Sequence, residues 1–152
     1  MKKNKKYLLF FLILFTTSVC FADKPINFLS LKKDKVNLRV GPSFEHPVKL
    51  IYKKKYLPVE ILEKSETWRK IKDFENNSGW IHTSQLSKRK TAINIKDNSI
   101  IHTKSTIYSE PLARLEIGRL VLIDKCKIKW CKIVSGNFTG WILKNSLWGK
   151  TN

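Results

Sequence analysis

The sequence has few of the residues from which catalytic and metal sites are usually built. Its 152 residues include three histidines, three cysteines and six glycines. His46, His82 and His102 are scattered and have no acidic neighbours in a familiar catalytic arrangement. The sequence also has no glycine-rich phosphate loop and no His/Cys cluster. It therefore predicts no catalytic residue, no metal and no cofactor, and an enzyme is the disfavoured class.

Arginine is scarce as well. Only five of the 30 basic residues are arginines, so lysine carries most of the positive charge. Recognition of phosphates and bases favours the planar guanidinium group, which makes nucleic acid a disfavoured partner. The net charge of +18 still favours an anionic partner, such as cell-wall carboxylates or an anionic lipid surface. A general enrichment in Ile, Asn and Lys would produce the same excess without any function.

Only one stretch is long and apolar, and it lies at the start of the chain. Four lysines within Met1–Lys6 precede the apolar Tyr7–Val19, and Cys20-Phe21-Ala22 offers small residues for cleavage. This pattern predicts a secretory signal peptide over residues 1–22, with Asp23 as the mature N-terminus. Removing those lysines leaves 26 basic and 12 acidic residues, a net charge of about +14.

The signal predicts an exported, periplasmic protein, with secretion or membrane anchoring as alternatives. An uncleaved anchor is disfavoured because the apolar run is shorter than the roughly 20 residues of a spanning helix. A lipid on Cys20 is disfavoured because Thr17 and Val19 do not match the bacterial lipobox.

The two remaining cysteines form an even pair. Cys126 and Cys131 have no histidine cluster near them, whereas a tetrahedral zinc ion needs four ligands. In an oxidising compartment such a pair predicts a disulfide. Closing so short a loop stabilises the fold by about 2 kcal/mol on the chain-entropy model.

The mature chain contains an internal repeat. Segment 58–71, PVEILEKSETWRKI, matches segment 120–133, LVLIDKCKIKWCKI, and the triplet Gly79-Trp80-Ile81 returns as Gly140-Trp141-Ile142. A lone domain of about 60 residues is only marginally stable. The two copies are therefore expected to abut through the short join at 87–92.

Within each copy the apolar residues alternate with a period of two. Val36, Leu38 and Val40 follow this pattern, and similar short runs predict five or six strands per copy. Segment 57–74 also fits helical spacing, but its counterpart 120–134 is dense in Val and Ile. A hairpin is therefore expected in both, with Cys126 directly opposite Cys131. The predicted class is all-β, with two tandem small barrels.

The repeated Gly-Trp pairs are expected to have structural roles. Gly79 and Gly140 would permit close backbone approach or a positive φ at the entry of a strand. Trp80 and Trp141 would then plug one end of each barrel. Trp148, near the C-terminus, either caps the second barrel or is exposed.

The segments VNLRVGPS (36–43), LPVEIL, WRKIKD and GWIHTSQLS resemble those of the bacterial SH3-like (SH3b) domain family. CKIKWCKIVSGNFTGWILKNSLWG (126–149) resembles the second module of its exported two-module members. The resemblance implies SH3-like domains at residues 30–90 and 93–150. The second departs from the pattern at its start, where IIHTKSTIYSEP lacks the Arg-Gly-Pro turn, so only the first is expected to use that turn for a ligand.

Six residues near loops are candidates for ligand contact. They are Arg39, Phe44, Tyr52, Tyr56, Trp68 and Trp130. Trp68 and Trp130 begin strands, where a ring can pack or contact a ligand. Aromatics beside the YKKKY run (52–56) can stack on sugars or prolines while the lysines hold carboxylates, or the lysines protect an edge strand from aggregation. Arg39 either grips a carboxylate or braces the turn at 41–43.

The expected function is an exported, non-enzymatic binding module of the bacterial cell envelope that contacts peptidoglycan peptides or an envelope protein. Modules of the resembled family often accompany cell-wall hydrolase domains, for which this chain has no room. One alternative is an adaptor, a structural partner of an envelope complex without affinity for the wall. Another is a basic protein that binds anionic lipids or polyanions.

Overall fold

The chain forms two successive antiparallel β-sheets. The structure, a computed structural model, describes residues 27–151, so the predicted signal peptide and Cys20 lie outside the described residues. Between the strands there are two single-turn 3₁₀ helices, Thr83–Gln85 and Lys144–Ser146. Residues 27–151 contain no helix with the length and apolar character needed to cross a bilayer. The predicted all-β class is confirmed.

Each sheet has seven strands in the same spatial arrangement. The first unit consists of β1 (Asn27–Leu31), β2 (Val36–Arg39), β3 (Val48–Tyr52), β4 (Pro58–Ser65), β5 (Trp68–Lys72), β6 (Ser78–His82) and β7 (Leu86–Ser87), in the order β3-β2-β6-β5-β4-β1-β7. The second consists of β8 (Thr91–Asn94), β9 (Ser99–His102), β10 (Pro111–Leu115), β11 (Leu120–Cys126), β12 (Trp130–Ser135), β13 (Phe138–Leu143) and β14 (Leu147–Gly149), in the order β10-β9-β13-β12-β11-β8-β14.

The alternation predicted five or six strands per unit and missed the terminal ones. β1 reads NFLSL and β7 only LS, so neither carries the β-branched residues that mark a strand in sequence. β1 and β7 form because β1 pairs with both β4 and β7. In the second unit, β8 pairs in the same way with both β11 and β14. The strands of the two units therefore start at Asn27 and Thr91, slightly before the expected boundaries at residues 30 and 93.

The interior of each unit is filled by aliphatic side chains. One cluster of buried residues draws on strands from β1 to β7 and includes Leu38, Ile71 and Ile81, so the sheet curls around its own core. The second unit has an equivalent cluster. Trp80 is buried and Trp141 half-buried, but neither belongs to the core cluster of its unit, so both rings pack outside the two aliphatic cores. Successive side chains of a strand face opposite ways, and the following isoleucines, Ile81 and Ile142, take the inward positions.

The glycine before each tryptophan is required by close strand contact. A Cβ atom on Gly79 would lie 2.6 Å from the carbonyl oxygen of Arg39 in β2. A Cβ atom on Gly140 would lie 2.6 Å from the carbonyl oxygen of His102 in β9. Neither glycine is among the residues with positive φ. Of the two reasons predicted, close backbone approach is therefore confirmed, and it is the same in both units.

The predicted hairpins are confirmed. β4 pairs with β5 and β11 with β12, and both hairpins carry a register shift at the same place, after Ile61 and after Ile123. Cys126 lies directly opposite Cys131, and the two form a disulfide with a Cα–Cα distance of 4.0 Å. The predicted cross-link is thus present at the turn end of the second hairpin.

The two units abut, as the marginal size of one copy predicts. Ile93 of β8 is fully buried in the core of the first unit, and Leu120 packs against the same cluster. At the same junction the ring of Phe28 in β1 meets the ring of Trp148 edge-on, with centroids 4.9 Å apart. Trp148 is therefore neither a cap of the second barrel alone nor an exposed ring, since it joins the units.

Candidate functional site

The outer face of the first sheet carries the candidate site. Cross-strand register places Trp80 opposite Arg39 and Lys70, and Trp68 opposite His82. Directly opposed residues share a face, and this face is the reverse of the one on which Ile81 enters the core. The pairing of β2, β6 and β5 thus gathers aromatic and basic side chains on one surface.

Three rings on this face form what we call the aromatic cluster: Phe44, Trp68 and His82. The Phe44 centroid lies 4.9 Å from that of Trp68 and 5.2 Å from that of His82, and Trp68 and His82 are 5.2 Å apart. The Phe44–Trp68 and Trp68–His82 pairs are edge-to-face, the arrangement that aromatic quadrupoles favour. Trp68 is only 6% exposed whereas Phe44 is 62% exposed. Phe44 therefore covers Trp68 from the solvent side.

Arg39 braces the loop that presents Phe44. Its Nη1 donates a hydrogen bond of 2.6 Å to the carbonyl oxygen of His46, and its guanidinium carbon lies 5.7 Å from the centroid of the Phe44 ring. The second unit repeats the device, because Nδ1 of His102 lies 3.1 Å from the carbonyl oxygen of Ser109. Of the two roles predicted for Arg39, the structure thus shows the bracing of the loop.

That loop follows the same path in both units despite their different sequences. Val40 N–H donates to the carbonyl of Pro47 in the first unit, and Thr103 N–H donates to the carbonyl of Glu110 in the second. The missing Arg-Gly-Pro sequence therefore changes the side chains of the second loop but leaves the hydrogen bond that closes the loop in place.

Tyr52 was predicted as a surface contact, and the structure corrects this. Its ring is 8% exposed and belongs to the core cluster, and its hydroxyl donates a 2.9 Å hydrogen bond to Oδ2 of Asp73. Burial and the adjacent Asp73 carboxylate raise the pKa of Tyr52 above its ordinary value. The side chain alternation of β3 explains the error, because Ile51 takes the outward position and is 42% exposed.

Tyr56 contacts residues outside the aromatic cluster. It has a positive φ of 66° in the loop between β3 and β4. Its ring is contacted by the Lys55 ammonium at 5.0 Å and by the Arg89 guanidinium at 4.9 Å, both measured to the ring centroid. The ring thus ties the YKKKY loop to the linker between the units.

The second unit has a different surface at the equivalent place. Trp130 meets His102 edge-on at 5.6 Å, and its cross-strand partner is Leu143, where Trp68 has His82. The loop position of Phe44 is held by Ile107, which is 59% exposed. Trp141 is half-buried beneath the Lys127 ammonium, 4.7 Å from its ring centroid. The three-ring cluster is thus a feature of the first unit.

His82 is the member of the cluster that the sequence reasoning missed. The histidines were considered only as catalytic or metal-binding groups. A signal was available, since His82 lies two residues after Trp80 in a strand and so shares its face. Within residues 27–151 the structure shows no group of three or more His, Cys, Asp or Glu side chains able to hold a metal ion. The contacts described on this face are those between aromatic rings and between a cation and a ring.

The chain was compared with solved structures, with curated proteins and with family models. Solved structures that are similar include NlpC2 and NlpC1 from Trichomonas vaginalis, each 14% identical, with TM-scores of 0.38 and 0.36. Both matches cover 82% of this chain, and 48% and 46% of those chains. An NlpC/P60 family protein from Bacillus cereus is 10% identical with a TM-score of 0.35, covering 80% of this chain and 56% of the other.

This chain therefore spans about half the length of those structures. A search of the curated proteins found no match. The model of the family described as bacterial SH3 domain matches residues 32–88 and 108–149, one segment in each unit. The chain belongs to the bacterial SH3 domain family, of which it holds two tandem copies.

Proposed function

We propose that this protein is a non-catalytic binding module of the bacterial cell envelope, which holds a peptide segment of peptidoglycan at the aromatic cluster. The observation that carries the proposal is the exposure of Phe44 over a buried Trp68, braced by Arg39. An aromatic ring left 62% exposed and held in place by its neighbours offers a preorganised apolar contact at little entropic cost.

The surroundings of the cluster suit an anionic peptide. Lys70 lies on the same face as Trp68, two residues along β5, and its side chain is 42% exposed, but its charge is balanced by Glu63 at 3.7 Å, so the attraction comes from the charge of the whole chain. Residues 23–152 carry a net charge of about +14, which would attract the carboxylates of cell-wall peptides. The rings would supply the contact area and the lysines the long-range attraction.

Retention on purified sacculi tests the proposal. Phe44→Ala should reduce binding by roughly tenfold or more, because exposed aromatic anchors commonly dominate a binding interface. The matched control is Ile107→Ala, the same loop position in the second unit, which should bind like the unaltered protein. Sacculi from which carboxylates have been removed by amidation should retain less of both proteins.

Two results would count against it. If the unaltered protein shows equal, negligible retention on untreated and amidated sacculi, the wall ligand is wrong. If Phe44→Ala binds as well as Ile107→Ala, the wall ligand stands but the aromatic cluster is not its site.

A second candidate is an adaptor that docks on another envelope protein through the second unit. Tyr108 and Ile128 are each 92% exposed, on two loops that Lys127 joins by a 3.1 Å hydrogen bond to Ser105. Apolar side chains this exposed are typical of contact surfaces when they cluster. Cross-linking in intact cells distinguishes the candidates, since one dominant protein adduct that disappears with Ile128→Ser favours the adaptor.

We also propose that the protein is exported to the periplasm, on the strength of the signal sequence. Mass spectrometry of the mature protein tests this directly. The expected first residue is Asp23, with a mass lower by two hydrogens for the disulfide. A lipid on Cys20 would place the protein on a membrane instead.

A further inference from the structure

A cavity in the second unit has chemistry that the aromatic cluster does not use. Its volume is about 290 Å³, and it lies between the linker that joins the units, the end of β11 and the residues that follow β14. We call it the lysine cavity, because its lining includes Lys90, Lys125, Lys127, Lys144 and Lys150.

Lysines outnumber acidic residues in the lining of this cavity by five to one. Asp124 is the one acidic residue in the lining, and it lies 3.9 Å from Lys132. Lys90, Lys125 and Lys150 make no side-chain hydrogen bond or ion pair within residues 27–151. Like charges gathered in a concavity repel one another, and an anion bound between them relieves that repulsion.

The equivalent place in the first unit is neutralised. Glu63 and Lys70 are opposed there across the hairpin of β4 and β5, with 3.7 Å between their charged groups. In the hairpin of β11 and β12 the corresponding pair is Lys125 and Lys132, both positive. The fold therefore does not require a lysine at the position of Lys125, since the first unit has Glu63 there. The positive charge of Lys125 is a feature of the second unit and its cavity.

We propose that the lysine cavity binds a compact, multivalent anion of the phosphate class, either free in solution or as the phosphate of a lipid headgroup. Each ammonium group is a compact point charge with three donors, which suits phosphate oxygens on several sides. A single carboxylate would leave most of the charge unbalanced, whereas a phosphate or diphosphate brings several acceptor oxygens into one small volume. The lining has no aromatic side chain, so a base or sugar ring would find no stacking partner.

The disulfide holds part of this site in place. Cys126 lines the cavity and is flanked by Lys125 and Lys127, and its bond to Cys131 closes the hairpin beneath them. These two lysine side chains are exposed, but the disulfide restrains the backbone that carries them, so less backbone entropy is lost when a ligand binds. Reduction of the disulfide should therefore weaken anion binding.

Calorimetric titration at low ionic strength tests the proposal with two kinds of probe. The first is pyrophosphate, and the second is phosphatidylcholine vesicles with and without phosphatidylglycerol. Lys125→Gln/Lys150→Gln should weaken binding by roughly tenfold or more, since it removes two charged donors. The matched control is Lys33→Gln/Lys64→Gln, which removes the same charge from two exposed lysines of the first unit and should change affinity less than about twofold.

The probes separate the two sources of the anion. Pyrophosphate binding that depends on the cavity lysines supports a free anion, and vesicle binding that depends on them and on phosphatidylglycerol supports a headgroup. Failure of the unaltered protein to bind either probe overturns the proposal, as does an equal loss in the two double variants, which indicates diffuse charge. If the Lys125→Gln/Lys150→Gln variant does not unfold cooperatively, it is not properly folded, and Lys90→Gln then takes its place in the comparison with the unaltered protein.

Phe44→Ala should leave this binding unchanged, because the aromatic cluster is on the first unit. A failure of the lysine cavity is therefore separable from a failure of the peptidoglycan site.

Discussion

Replacement of Gly79 by alanine tests the physical reason for the repeated Gly-Trp pair. The new Cβ atom would lie 2.6 Å from the carbonyl oxygen of Arg39 and 2.7 Å from Cγ of Leu38. The first is a backbone atom of β2, the strand that pairs with β6, and the second belongs to a fully buried core side chain. Neither has free space to move into, so β2 and β6 must separate.

The magnitude follows from two opposing effects. Overpacking of a filled core costs about 1–3 kcal/mol, and the backbone contact puts this site in the upper part of that range. Alanine returns roughly 0.5–1 kcal/mol, because glycine loses more conformational freedom on folding. The free energy of unfolding should therefore fall by about 1–2 kcal/mol.

Urea denaturation followed by circular dichroism and tryptophan fluorescence measures this change. Gly140→Ala should cost about as much, since its Cβ would meet the carbonyl oxygen of His102 at the same 2.6 Å. Ser78→Ala, one residue earlier in β6, is the neutral control and should stay within about 0.5 kcal/mol. If Gly79→Ala is as stable as Ser78→Ala, close strand approach does not explain the repeat.

Further outcomes are expected for Tyr52, for the disulfide and for Phe28. Tyr52→Phe should lower stability by about 1–2 kcal/mol at neutral pH, because Asp73 loses a hydrogen-bond donor. The unaltered protein should lose stability as pH rises above about 10, since a tyrosine whose pKa is raised by folding resists ionisation, and Tyr52→Phe should lack that part of the loss in alkaline urea titrations. Reduction of Cys126–Cys131 should cost about 2 kcal/mol in urea denaturation, and an unchanged midpoint would contradict the loop-closure argument. Phe28→Ala should cost about 1–2 kcal/mol and should weaken the coupling between units, seen as a broader or split thermal transition, whereas a sharp, unshifted transition would refute the coupling.

Much of the fold could be predicted because the signals were local and duplicated. Alternation in Val36–Val40 located β2, and the two cysteines fixed the register of the β11–β12 hairpin. The position of Trp148 could not be predicted in this way. Its partner, Phe28, is 120 residues away in the chain, and no periodicity reports a contact between units.

The candidate site was predicted in part. Phe44 and Trp68 were named as candidates, and the structure brings them together with Arg39. Proximity in sequence to the Gly-Pro turn suggested Tyr52 as well, but the residue count from a turn does not say which side of the sheet a strand residue faces. One register step decided that Tyr52 is buried and Ile51 exposed.

The two units show how one backbone can present two different surfaces. The backbone hydrogen bonds of the loops, the hairpin register shifts and the glycines at strand contacts are shared, and these are the features that the fold requires. The differences lie at outward positions, where Phe44 corresponds to Ile107 and Glu63 to Lys125. Outward side chains contribute little to stability, so they are free to change without loss of the fold. On the two proposals above, each unit binds a ligand of different chemistry, and the duplication supplies two different surfaces on one backbone.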